Sequence, residues 1–213
     1  MGAADIAARL RESRAAHLAP GVGALLLGPR GTVVAVAGRA SAAGARAVDL
    51  GAPWHLGSCT KAMTATLLAR LAEAGILSID ATLGAIWPTM PMHPGYRDVT
   101  LGALARHHGG VPRDPPVTSF AALRRSGAPV TAQRMLLVRQ TLRNPPRPDA
   151  GYSNLGYILL GAAIETALGR SWEAALAAEV FAPLGIGGHG FGAPPLPMTG
   201  HRRQIGRASC RER

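Results

Sequence analysis

The apolar positions change period along the chain, and the changes divide it into elements. Over residues 4–17 they recur at helical spacing, with Ile6, Leu10 and Ala15 on one side, which predicts an amphipathic helix. The stretch "GVGALLLGPRGTVVAVAGRA" (21–40) is rich in small and β-branched residues and is broken by Gly28-Pro29-Arg30-Gly31. It reads as two strands joined by a tight turn. Residues 40–53 form a small-residue loop. A helix is expected from about Cys59 to Ala74, stopped by Gly75. "ILSIDATLGAIWP" reads as a connector and a helical turn closed by Pro88, and "VTLGALARHHGG" as a short helix ending at Gly109-Gly110. Residues 111–130 are Pro-rich and read as loop. Further helices follow in "TAQRMLLVRQTL", in the apolar "NLGYILLGAAIETALG" ending at Gly169, and in "SWEAALAAEVFAPLGI" with Ser171 as N-cap. The loop "RNPPRPDAGYSN" precedes these last two, and residues 186–203 are loop again.

The order is therefore one helix, two strands and a mostly helical block. Two strands do not make a stable sheet alone, so their partners are expected beyond the sequence given. Made as written, the chain is expected to expose a sheet edge and an apolar face, and to be inactive and poorly soluble.

At 213 residues with 47% hydrophobic content, the chain suits one globular domain, or one domain with a lobe inserted in it, packed mainly by aliphatic side chains because aromatics are only 4%. The net charge of +11 raises nucleic-acid binding as a reading. The arginines are scattered, however, with adjacent pairs only at Arg124-Arg125 and Arg202-Arg203. No basic helix face or nucleic-acid motif accompanies them, so a solvated Arg-rich surface is favoured and no nucleic-acid partner is expected. No run of roughly 20 apolar residues offers a membrane span, and the N-terminus lacks the apolar core of a signal peptide. As written, the chain reads as a soluble cytoplasmic protein, extracytoplasmic if its N-terminus is incomplete. Cys59 and Cys210 have no partners at metal spacing and make no disulfide framework.

Residues 204–213 stand apart. Ile205 to Arg213 reads as the in-frame translation of a common sequencing-library adapter, so 204–213 is set aside as non-native and 1–203 is taken as a partial domain. Without the three arginines and one glutamate of that tail the net charge falls to +9.

The chemistry begins at "GSCTKAMTA" (57–65). Lys61 is the chain's sole lysine; every other Lys/Arg position is arginine. If Ser58 begins a helix, Lys61 lies one turn on, on the same face. Serine attacks an acyl carbon only once a base takes its proton. A lysine of lowered pKa can take that proton, whereas an arginine cannot. The structural alternative is an N-capping serine with a solvated lysine. In "GYSNLGYILLG" (151–161), Tyr152 and Asn154 flank a serine at a loop-to-helix junction. Side chains two apart in an extended segment point the same way, so a phenol and an amide can enter one cleft, the phenol to relay protons and the amide to orient the lysine. The structural alternative is a buried tyrosine with Asn154 capping the helix.

With these residues in view, the chain resembles the serine β-lactamase-like hydrolases, in particular the class C β-lactamase, esterase and D-Ala-D-Ala peptidase branch. "WHLGSCTKAMTATLLARLAEAGILSID" resembles the active-site helix of that family and "DAGYSNLGYILLGAAIE" its Tyr-x-Asn motif. "VTLGALARHHGGVP" resembles the segment usually written His-Thr-Ser-Gly-Leu-Pro, and "FAPLGIGGHGFG" the stretch after the next helix. The resemblance implies an α+β, β-lactamase/transpeptidase-like fold: an antiparallel sheet packed by helices plus a mostly helical lobe, with only the first two sheet strands in this sequence. It implies that Ser58 is the nucleophile, that Lys61 helps to deprotonate it, that Tyr152 serves as general base and then acid, and that Asn154 contacts the lysine and the substrate. The Ser58 N–H would supply half of an oxyanion hole, and no metal or organic cofactor is used. The third motif of the family, Lys or His, then Ser or Thr, then Gly, is missing. Gly188-His189-Gly190 matches it by letters but lies in the wrong context and is rejected. His107 and His108 stand where the family has His-Thr, and are read as a structural helix end.

The expected function is that of a serine acyl-hydrolase on a small-molecule ester, β-lactam or related amide, through an acyl-enzyme. The alternative is a non-catalytic binding protein that retains the fold. The sequence assigns no oligomeric state.

Overall fold

The structure, a computed structural model, describes residues 2–192 apart from Leu18, Arg30, Ala43 and Ala150. The 204–213 tail, with Cys210, lies outside the described residues. Those described divide into two compact units: residues 2–56 with 188–192, and Gly57–Gly187.

The first unit is one helix on a hairpin. Helix α1 spans Ala3–His17, and strands β1 (Gly21–Gly28) and β2 (Gly31–Gly38) pair antiparallel from Gly21 opposite Gly38 to Gly28 opposite Gly31. Ala35 and Ala37, two apart and so on one face of β2, are buried, as is Ile6 of α1. The expected helix face is narrower than its sequence pattern: Ala15 is exposed and Leu10 only half-buried. Gly38 has φ +101°, and a Cβ there would lie 2.3 Å from the Pro20 carbonyl oxygen, so this close approach admits only glycine. Leu25 and Leu27 of β1 remain 64% and 80% exposed. Among the described residues the sheet has these two strands only.

The second unit holds the large core. A 3₁₀ turn, Gly57–Cys59, runs directly into α2, Thr60–Glu73. Next come α3 (Leu83–Ile86), α4 (Leu101–Ala105), α5 (Val117–Ser126), α6 (Val130–Leu142), α7 (Asn154–Leu168) and α8 (Trp172–Leu176), which continues into a single π-turn, Ala177–Phe181. Helix α7 runs through the centre. Leu155, Leu159, Leu160, Ala162, Ala163 and Ile164 are buried around most of its circumference, which is why its sequence is apolar nearly all round. Leu67, Leu68 and Leu71 of α2, Leu101 and Leu104 of α4, Val138 and Leu142 of α6 and Leu176 of α8 belong to the same core. Gly169, at φ +64°, ends α7 where the sequence placed its stop.

Three boundaries depart from expectation. Residues 117–126, read as loop, form α5. The prolines that suggested a loop lie before its first turn, where a missing N–H costs nothing, and Gly127 in the left-handed region ends it. Helix α4 stops at Ala105, short of Gly109-Gly110, because His107 itself turns left-handed at φ +63°. The cap of α7 is Ser153, not Asn154: its Oγ accepts from the Gly156 N–H at 2.7 Å and donates to the Pro112 carbonyl at 2.7 Å. Ser171 caps α8 as expected, accepting from the Ala174 N–H.

An ion triad ties α6, α7 and α8 together. The Arg134 guanidinium donates to both Glu165 and Glu173, and Glu165 also accepts from the Trp172 N–H at 2.9 Å. Arg134 and Glu165 are 13% and 9% exposed, so the pair is almost out of water. Removing the arginine leaves a buried carboxylate without its counter-charge. Arg134→Ala is therefore expected to lower stability by about 3–5 kcal/mol, measured as a shift of the urea midpoint at unchanged slope.

Candidate active site

All four residues singled out in the sequence lie in the second unit and form one hydrogen-bonded cluster about Ser58 Oγ and Lys61 Nζ. Gly57, at φ +53°, turns the chain into the 3₁₀ turn that presents Ser58. The first helical turn of α2 follows without a side-chain cap: Cys59 precedes it in helical geometry and makes no capping bond. The capping alternative for Ser58 is thereby removed, and its hydroxyl is left for other partners. Lys61 Nζ donates to Ser58 Oγ at 3.1 Å, and the Tyr152 hydroxyl donates to the same oxygen at 2.6 Å. Lys61 Nζ also donates to Asn154 Oδ1 at 2.6 Å, spanning from α2 to the first residue of α7. Lys61 is half-buried rather than solvated, whereas Ser58 and Tyr152 stay exposed to an incoming ligand.

Ser153 places Tyr152 and Asn154 on the same side. Its backbone is extended (φ −132°, ψ 119°), so its two neighbours point together while its own side chain turns inward to cap α7. The alternation read from "GYSN" is thus the geometry that brings phenol and amide to the lysine.

The electrostatics favour a reactive phenol. Tyr152 is held below the usual tyrosine range, first by hydrogen bonding with Lys61, then with Ser58, and further by the charges of Lys61 and Arg113. Lys61 Nζ lies 4.8 Å from the centre of the Tyr152 ring and 5.6 Å from that of Tyr157. Tyr157 behaves oppositely, pushed up by burial and by Tyr152, and its hydroxyl donates to the Ala105 carbonyl at 2.9 Å. The two phenols are therefore shifted in opposite directions, Tyr152 toward losing its proton and Tyr157 toward keeping it.

Three neighbours were not singled out for chemistry in the sequence. Asp114 accepts from Asn154 Nδ2 at 2.7 Å, which fixes the amide with its oxygen toward Lys61. Its signal in the sequence is slight: it is the only acidic residue between Asp98 and Asp149. Tyr157 was hidden in the apolar run of α7. His107 does end a helix, as expected, yet its ring also lies 4.6 Å from that of Tyr152 and 5.3 Å from that of Tyr157. Gly188-His189-Gly190 lies outside any helix or strand. Among the described residues no cluster of His, Cys, Asp and Glu is arranged to hold a metal ion. Among them, too, no helix is long and apolar enough to cross a membrane.

Known proteins share sequence and fold with this chain. The Beta-lactamase family profile matches residues 6–208. Penicillin-binding protein 4 of Amycolatopsis lactamdurans is 30% identical over 143 residues, which are 66% of this chain and 36% of that protein. The D-alanyl-D-alanine-carboxypeptidase/endopeptidase AmpH of Escherichia coli (strain K12) is 31% identical over 136 residues, 62% of this chain and 35% of that protein. The chain thus spans about a third of the length of the curated relatives it matches. The crystal structure of a class C β-lactamase from Rhodobacter sphaeroides superposes with a TM-score of 0.68 at 26% identity, covering 94% of this chain and 57% of that one. With a profile match over nearly its whole length and the β-lactamase/transpeptidase-like fold, the chain belongs to the serine β-lactamase-like family.

Proposed function

We propose that the protein is a serine acyl-hydrolase in which Ser58 is the nucleophile, Lys61 and Tyr152 manage its proton, and Asn154 orients the lysine and the substrate amide. The observation that carries this reading is the convergence of Lys61 Nζ and the Tyr152 hydroxyl on Ser58 Oγ, at 3.1 and 2.6 Å. A serine with two proton-handling groups in hydrogen-bond reach is the arrangement that nucleophilic catalysis requires.

The steps follow from the contacts. As a phenolate, Tyr152 accepts the hydroxyl proton of Ser58 while Oγ attacks the acyl carbon of an ester, β-lactam or related amide. The tetrahedral intermediate collapses as Tyr152 returns that proton to the departing oxygen or nitrogen. Water then attacks the Ser58 ester, giving its proton to Tyr152, which passes it to Ser58 Oγ as the acid leaves, so that the hydroxyl and the phenolate are both restored. Lys61 stabilises the phenolate throughout, and Asn154 holds Lys61 in place. The relatives named as a carboxypeptidase/endopeptidase and a β-lactamase support an acyl substrate of this class. We take residues 1–203 by themselves to be inactive, in keeping with the exposed Leu25 and Leu27 of β1, so the tests use the full-length protein.

Incubation with a fluorescent penicillin or an activated ester should leave a covalent adduct on Ser58, detected by intact mass and peptide mapping. Ser58→Ala is expected to abolish the adduct and to lower turnover about a thousandfold or more with the fold retained. Turnover by Ser58→Ala at the wild-type rate excludes the proposal and leaves a binding protein as the reading.

The pH dependence carries a sign. Because Tyr152 is held below its ordinary range, acylation should rise with pH through that lowered value and level off before the usual tyrosine range is reached. Lys61→Met removes the largest cause of the lowering, so the rising limb should move to higher pH as the plateau rate falls. Stopped-flow acylation of both proteins from neutral pH to pH 10 reads this shift directly.

A further inference from the structure

We propose that His107 is a positioning residue for this site: it clamps the chain on both sides of Tyr152 and backs the phenol ring, and so sets the hydroxyl on Ser58. The inference rests on the acyl-transfer reading for its functional meaning, but its geometry stands separately.

Two hydrogen bonds make the clamp. The Gly151 N–H donates to the His107 carbonyl oxygen at 3.2 Å, and the Ser153 N–H donates to His107 Nδ1 at 3.1 Å. In an extended segment, N–H groups two residues apart point the same way. His107 therefore takes both N–H groups flanking Tyr152, one with its backbone and one with its side chain. Its ring, 4.6 Å from the Tyr152 ring with a 37° tilt, supports the phenol between them. Tyr157, fixed through its bond to the Ala105 carbonyl, packs on the same imidazole.

The backbone at His107 points the same way. Among the described residues it is the sole non-glycine with positive φ, at +63°. A residue with a Cβ is disfavoured there. Ending α4 does not require one, because that role uses only the His107 N–H on the Leu104 carbonyl and the His108 N–H on the Ala103 carbonyl, at 3.0 and 2.8 Å. Glycine would make the same bonds without strain. The imidazole is thus kept at a steric cost, and the contacts it adds are those to Ser153, Tyr152 and Tyr157.

The clamp belongs to the neutral ring. An amide N–H facing Nδ1 requires a lone pair there, which places the ring proton on Nε2. Burial, then the charge of Lys61 and more weakly that of His108, hold His107 below the usual histidine range. The groups facing it are Lys61, His108, Tyr152 and Tyr157, with Arg113 over the Tyr152 ring. Folded-state pKa being lowered, the contribution of the clamp is present above the ordinary histidine range and is lost as pH falls through the lowered value.

The test uses the full-length protein with His107→Gly, which accepts the left-handed backbone but deletes the imidazole, and His107→Asn, which tolerates that backbone and returns an acceptor near the Nδ1 position. In His107→Gly, Tyr152 should titrate nearer its ordinary value, read by ultraviolet difference titration against Tyr152→Phe. Acylation should slow about tenfold or more in kcat with KM little changed, and His107→Asn should recover most of both. Nitrogen NMR of the wild-type imidazole should show a bare Nδ1 and a protonated Nε2. A His107→Gly protein that melts as the wild type does, with unchanged Tyr152 titration and kcat, overturns the proposal. A protonated Nδ1 at neutral pH overturns it too, even if neither variant folds. If the wild type acylates with no substrate while the tautomer and titration results hold, the acyl-transfer reading fails and the clamp stands.

Discussion

A lysine drawn partly out of water must exchange its hydration for fixed acceptors, and the site depends on how Lys61 does so. Its Nζ bonds Asn154 Oδ1 and Ser58 Oγ together, which joins the first turn of α2 to the first turn of α7. Each helix is anchored independently in the core through Leu67, Leu68 and Leu71 on one side and Leu155, Leu159 and Leu160 on the other. The lysine therefore bridges two rigid bodies, and the serine hydroxyl is positioned by packing that lies a turn or more away from it. Asp114 completes the constraint by fixing the Asn154 amide from its other end.

The same economy governs the segment "GYSN". Ser153 turns inward to cap α7 and to hold the Pro112 carbonyl, and this fixes the extended backbone that directs Tyr152 and Asn154 outward. A capping residue, whose effect is ordinarily on helix stability, here also aims two side chains. His107 meets that segment from the opposite side, at the end of α4. The proposed chemistry thus draws on the ends of three helices whose middles build the core. Such a division lets the ends be polar and partly exposed while the middles stay apolar.

The long apolar pattern of α7, the stop at Gly169, the hairpin about Gly28–Gly31 and the start of α2 near Ser58 were legible because each rests on local rules of period and turn chemistry. Helix α5 was not, because Pro115 and Pro116 dominate a local reading although they only precede its first turn. Nor was the early end of α4, since a histidine in the left-handed region carries no local signature and is tolerated only through contacts made elsewhere. At the site, the residue types were legible: a sole lysine three positions after a serine, and a tyrosine and an asparagine flanking a helix cap.

By itself, then, the sequence singled out residue types suited to the proposed chemistry and determined which lie on a common local face: Ser58 with Lys61 by helical spacing, Tyr152 with Asn154 by extended spacing. Only the tertiary structure decided that the two pairs, more than ninety positions apart, share one oxygen and one ammonium. It alone recruited Asp114 and His107. The reason is physical: local periodicity fixes the direction of a side chain within its own element, whereas the meeting of two elements is set by how their apolar faces pack. No residue near Ser58 in the chain carries that information.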